Sequence, residues 1–192
     1  MTVRLHAFVP ASQANGPGLR AVVWFQGCTI RCPGCFNPQT HDPAGGFAAD
    51  TQAVARAVLA RRPDIEGVSI SGGEPFEQPE ALLDLLTRLA RSGLSVLVFS
   101  GYPLAAIRRM PLGPAILNRT DVLIAGPYRQ PQHLSRGLLG SANQRIRLLT
   151  GRYHWRDFQN LPACEVILHP DGAITLTGIA PPSWPAPHYR IP

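Results

Sequence analysis

At 192 residues, with 45% hydrophobic and 16% charged side chains, the chain can form one domain with a sizeable core and is too apolar to be disordered. Its net charge of +6 comes from 18 basic residues, all arginine, which excludes a lysine general base, a Schiff-base lysine and a P-loop lysine. The arginines are adjacent only at Arg61-Arg62 and Arg108-Arg109, so no basic block marks a nucleic-acid partner; they imply a mildly basic surface, or an acidic partner protein or anionic cofactor. No apolar run reaches membrane-spanning length, and Met1 to His6 lacks the apolar stretch of a signal peptide. The expectation is a cytoplasmic protein without a membrane partner, where clustered cysteines bind metal or do redox chemistry.

Leu19 to Phe25 reads as a buried strand, and a cysteine-rich loop follows at once. Asp50 or Thr51 caps a predicted helix that runs to about Arg62, with Ala53, Val54, Ala57 and Val58 on one side. Gly67 to Ser71 is a short strand ending in Gly72-Gly73. Pro79 opens a second helix, with Leu82, Leu83, Leu86 and Leu89 at helical spacing and Gly93 as its stop. A strand over Leu94 to Phe99, a short helix near Leu104 to Arg109 and a strand from Asp121 to Ala125 come next. Gly126 to Gly140 reads as a loop and Ile146 to Leu149 as a further strand. Ala163 to His169 and Ala173 to Leu176, joined by Pro170-Asp171-Gly172, read as a hairpin, followed from Pro181 by an extended Pro-rich tail. Alternating strands and helices predict an α/β fold with a parallel sheet and right-handed crossovers, too short for eight barrel units. No repeat or linker divides the chain, so residues 1–192 form one expected domain, with a core at about 18–150 and the hairpin and tail over 160–192.

Cys28, Cys32 and Cys35 follow a strand, at the end where α/β proteins place their sites. Thiolates favour iron–sulfur clusters, zinc or Cu(I), and Pro33-Gly34 makes a tight turn between two of them. Three thiolates on a cubane cluster leave one iron open to a small molecule. The alternative is a closed zinc site of Cys28, Cys32, Cys35 and His41 in a protein without enzymatic activity. Cys164 stands alone in a predicted strand and reads as a small core residue; His41, His133, His154 and His169 are scattered and carry no catalytic assignment. The next strand ends in Gly72-Gly73-Glu74-Pro75. Two glycines permit close approach to the backbone, and Glu74 brings a carboxylate, which suits a ligand with a free ammonium group.

These two motifs together resemble the radical S-adenosylmethionine superfamily. The resemblance narrows to the glycyl-radical-enzyme activases through Asn15-Gly16-Pro17-Gly18-Leu19-Arg20, Phe25-Gln26-Gly27-Cys28 and Cys35-Phe36-Asn37-Pro38. Asp121 to Tyr128 and Gly140 to Ile146 are similar to the small activating protein of anaerobic ribonucleotide reductase. The resemblance implies a partial (β/α) barrel, a 4Fe–4S cluster on Cys28, Cys32 and Cys35, and S-adenosyl-L-methionine bound through Gly72, Gly73, Glu74 and Pro75, with Asn37 near the adenine. It also implies reductive cleavage to a 5′-deoxyadenosyl radical, a glycyl radical enzyme as protein substrate, and a flavodoxin- or ferredoxin-like electron donor. The chain departs from the family pattern at Asn15, where Asp is usual, and at Leu139, where Arg is frequent; Gly34 replaces the aromatic residue usual across the wider superfamily, though the reductase activators share the Pro-Gly-Cys form. A radical enzyme acting on a peptide or small molecule is the alternative within the superfamily.

Overall fold

A computed structural model describes residues 1–169 and 172–179. Its main sheet has seven strands in the order β3-β1-β2-β4-β5-β6-β9. The ranges are β1 Thr2–Ser12, β2 Arg20–Phe25, β3 Phe47–Asp50, β4 Gly67–Gly72, β5 Ser95–Ser100, β6 Val122–Ala125 and β9 Arg145–Leu148. The centre, β2-β4-β5-β6, is parallel. Its crossovers carry α1 (Thr51–Ala60), α2 (Pro79–Leu89), and α3 (Leu104–Ile107) with α4 (Gly113–Leu117). The expected α/β fold with parallel strands is therefore present. The sheet is open, with β3 and β9 at its edges, and β1, β3 and β9 join antiparallel. No helix among the described residues is long and apolar enough to cross a membrane.

Local chemistry accounts for the helices. Asp50 caps α1, its carboxylate accepting from the amides of Gln52 and Ala53 at 2.9 and 3.2 Å. Val54 and Val58 of α1 pack with Leu82, Leu85, Leu86 and Leu89 of α2 over Val23, Ile70 and Val98 of the sheet. Each fully buried leucine contributes about 1.5–3 kcal/mol. The stripe on α2 includes Leu85 and leaves Leu83 half-buried, and Ala53 and Ala57 of α1 face solvent. The missed elements are β1, β3, α4 and a hairpin of β7 (His133–Arg136) and β8 (Leu139–Ser141) inside the expected loop over Gly126 to Gly140.

The opposite face of the sheet carries two smaller apolar clusters, one around Leu97, Ile124, Leu138 and Phe158, the other around Val9, Val22 and Trp24. The expected C-terminal hairpin is present as β10 (Cys164–Leu168) and β11 (Ile174–Gly178). It is tied to the chain start by Ser12, which donates to Glu165 at 2.6 Å, and by Asn15, whose amide donates to Thr177 at 2.7 Å. Cys164 is a half-buried β10 residue, away from the other cysteines. The Pro170-Asp171 part of the turn and the Pro-rich tail lie outside the described residues.

At the amino ends of the parallel strands Arg20 is wholly buried. Its guanidinium donates to Ser69 Oγ, Ser95 Oγ and Tyr153 Oη at 2.8, 2.9 and 3.0 Å, and to the carbonyls of Pro17, Val68 and Ser95. Tyr153 in turn donates to Glu66, so the counter-charge reaches Arg20 through a hydroxyl.

Candidate cluster and cofactor site

The carboxyl ends of β2 and β4 are laced together. Gly73 donates its amide to Phe25 O, and Glu74 donates to Gly27 O, both at 2.8 Å. Thr29 of the cysteine loop donates from its amide and hydroxyl to the Glu77 carboxylate. The loop is closed at its base where Gly27 N–H meets Thr40 O at 2.8 Å and Cys28 N–H meets His41 O at 3.1 Å. Between the second and third cysteines, Cys35 N–H donates to Cys32 O at 3.1 Å, a turn that Gly34 completes at φ +71°.

Cys28, Cys32 and Cys35 line one cavity of about 120 Å³ together with Gly72, Gly73 and Glu74. All three thiols are free and half-buried. Burial pushes the Cys28 and Cys35 thiols up, which disfavours free thiolates, and a bound metal would offset this by taking the thiolates as ligands. His41 also lines the cavity, and its Nε2 is buried without a hydrogen-bond partner. Among the described residues no three His, Cys, Asp or Glu side chains converge on a point that one ion could occupy. A polynuclear cluster asks for thiolates spread around it, each on its own iron, and a desolvated three-thiol wall suits that demand.

The glycines serve the lacing. A Cβ on Gly73 would stand 2.2 Å from Gly27 O, and Gly72, at φ +101°, would place one 2.4 Å from Phe25 O. Gly73→Ala should therefore cost about 1–3 kcal/mol in urea unfolding; an unchanged midpoint would mean that the two strand ends can part freely. The Glu74 carboxylate is 1% exposed and already engaged. Its Oε1 accepts from Phe76 N at 3.0 Å and Ser100 Oγ at 2.9 Å, and its Oε2 from Gly101 N at 2.7 Å. Burial pushes this carboxyl up to about 7, against the pull of those donors. Its observed work is to fasten the β4 loop to β5. Glu74→Gln should set an NH₂ group against a buried donor and cost about 1–3 kcal/mol by thermal melting. A fully stable variant would show that these hydrogen bonds do not hold the β4 loop to β5.

Pro75 is buried and opens the short 3-10 turn Pro75–Glu77; it is not on the cavity wall. Asn37 lies in an adjoining cavity of about 130 Å³, which shares Ser71, Phe99, Tyr128 and Gln144 with the first. Tyr128 and Gln144 are wall residues that received no site assignment from the sequence. Gln144 is held by its amide, which donates to Gly126 O and accepts from Gly140 N, each at 2.9 Å. The segments Asp121 to Tyr128 and Gly140 to Ile146, read only as points of resemblance, were the signal that could have found both.

Two loops, one bearing three cysteines and one bearing paired glycines, thus share a cavity at the ends of adjacent parallel strands. Residues 14–147 match the model of the 4Fe-4S single cluster domain. The chain is 38% identical over 95 residues to a pyruvate formate-lyase-activating enzyme of Clostridium pasteurianum, covering 47% of this chain and 40% of that protein. It is 29% identical over 148 residues to the pyruvate formate-lyase 1-activating enzyme of Escherichia coli K12, covering 74% and 58%. It is 32% identical over 155 residues to the anaerobic ribonucleoside-triphosphate reductase-activating protein of Vibrio cholerae, covering 76% of this chain and 97% of the relative. The chain spans about half the length of the two pyruvate formate-lyase relatives. It belongs to the 4Fe-4S single cluster domain family and, within it, to the radical S-adenosylmethionine activase group.

Proposed function

We propose that the chain uses a 4Fe–4S cluster and S-adenosyl-L-methionine to place a radical on a glycine of a partner enzyme, most closely an anaerobic ribonucleotide reductase. The observation that carries this reading is the meeting of Cys28, Cys32 and Cys35 with Gly72, Gly73 and Glu74 around one cavity. In it Cys28, Cys32 and Cys35 would hold the cluster, which when reduced would supply one-electron cleavage of the cofactor to methionine and a 5′-deoxyadenosyl radical.

The chain's own residues do the rest. The backbone of Gly72, Gly73 and Glu74 seats the methionyl ammonium, while the Glu74 carboxylate stays engaged with Ser100 and Gly101 and stiffens that seat. Pro75 fixes the turn that follows. The adjoining cavity, with Asn37 and Phe99, takes the nucleoside and shields it from water. The sheet is open, as a partial (β/α) barrel would be, and leaves a side free for a protruding glycine loop. Electrons come from a flavodoxin- or ferredoxin-like protein.

The V. cholerae relative, covered over 97% of its length, supports a ribonucleotide reductase as partner over pyruvate formate-lyase. The test is anaerobic reconstitution with reductant, cofactor and a candidate reductase, read by EPR. A glycyl radical on the reductase is expected. Cofactor cleavage without that radical would reject the activase role and favour a peptide or small-molecule substrate.

A further inference from the structure

Three of the 18 arginines of this lysine-free chain line one place that the cluster cavity does not use. A groove of about 430 Å³ adjoins that cavity, sharing Ile30, Gly101 and Gly126 as a common wall. Its volume is within the range of about 300–1,000 Å³ typical of ligand pockets. Arg129, Arg145 and Arg147 line it, and no acidic side chain among the described residues does. None of the three takes part in the ion pairs found among the described residues. The remaining wall is largely apolar, from Tyr102, Pro103 and Leu104.

Strand register builds this charge. Arg145 and Arg147 are two residues apart on β9 and pair with Ala125 and Leu123 of β6. Directly paired residues share a sheet face, so both arginines project on the helix-bearing side, where Leu123 and Ala125 join the main core. Ile146 and Leu148 turn to the other side. Arg145 Nη1 is pinned to the carbonyls of Ala142 and Gln144 at 2.6 and 3.0 Å. The side chains of Arg129 and Arg147 are exposed. Three cations on one rim, with no counter-charge among the described residues, suit an anion from outside. The cavity with Asn37 is lined from the opposite sheet face, by Trp24 and Leu138, so the groove is distinct from it.

We infer that this groove docks an acidic segment of the protein substrate and so brings that substrate to the cluster cavity; the inference rests on the activase reading. The probe is acetyl-(Glu)₄-amide, titrated by calorimetry into the anaerobically reconstituted protein at low salt. The R129Q/R147Q variant leaves pinned Arg145 in place. The R56Q/R91Q variant removes the same charge at exposed sites elsewhere. Binding should weaken about tenfold or more in R129Q/R147Q, stay near native in R56Q/R91Q, and fade at high salt. Deoxyadenosine formation without partner should be unchanged in R129Q/R147Q. Equal weakening in both variants, or no binding by the native protein, overturns the inference. So does tighter binding of citrate than of the peptide, or a raised S-adenosylmethionine requirement in R129Q/R147Q with peptide binding intact. The peptide titration does not depend on cofactor cleavage, so loss of cleavage by the native protein counts against the activase reading separately.

Discussion

Cys32→Ala should yield a chain that folds but holds less iron, loses the visible absorbance of a 4Fe–4S cluster, and cleaves S-adenosylmethionine at least about 100-fold more slowly. The magnitude follows from metal sites in general, where losing an outer-shell partner already costs about 10–100-fold and losing a ligand costs more. Cys32 lies on a surface loop, half-buried, with its thiol free in the apo chain. Apo stability should therefore change by less than about 0.5 kcal/mol. Cys164→Ala is the control: Cys164 is in β10, apart from the cavity, and its removal should leave iron content unchanged. Equal iron in Cys32→Ala and the native protein would remove Cys32 from the ligand set.

Arg20→Ala should produce the largest loss of stability, about 3–5 kcal/mol, seen as a lower urea midpoint with an unchanged slope. The buried guanidinium joins Ser69 of β4, Ser95 of β5 and Tyr153. Removing it leaves three hydroxyls and three carbonyls facing a void and isolates Glu66 behind Tyr153. Arg20→Lys should recover only part of the loss, because one ammonium has three donors where the guanidinium has five in a fixed fork. Full recovery by lysine would show that charge alone matters at this position. The effect on chemistry should be indirect, since Arg20 is at the strand ends opposite the cysteine loop.

The parts legible in the sequence were those whose signal is local. β2, β4 and β5 are short apolar runs with glycine stops, and α1 and α2 carry caps and helical stripes. The cysteine spacing and the Gly-Gly-Glu-Pro strand end stand out without any partner. What escaped depends on distant residues. β1 alternates Val3, Leu5, Ala7 and Val9 inward, but a register shift between Leu5 and Ala7 moves the later pair to the other sheet face. β3 has mostly exposed side chains and exists because β1 pairs with it. Arg20 looks like any other arginine until Ser69, Ser95 and Tyr153 are brought around it. The hydrogen bonds of Glu74 are hidden for the same reason: Ser100 and Gly101, about 26 residues further on, meet its carboxylate only in the fold. The groove of Arg129, Arg145 and Arg147 forms only when β9 pairs antiparallel with β6.

The most direct test of the central claim is metal and product analysis of the native chain, reconstituted anaerobically, reduced and given S-adenosylmethionine. Iron and sulfide in the ratio of a single 4Fe–4S cluster, with 5′-deoxyadenosine and methionine formed together, is the predicted result. Zinc in place of iron, with the cofactor recovered intact, would contradict it.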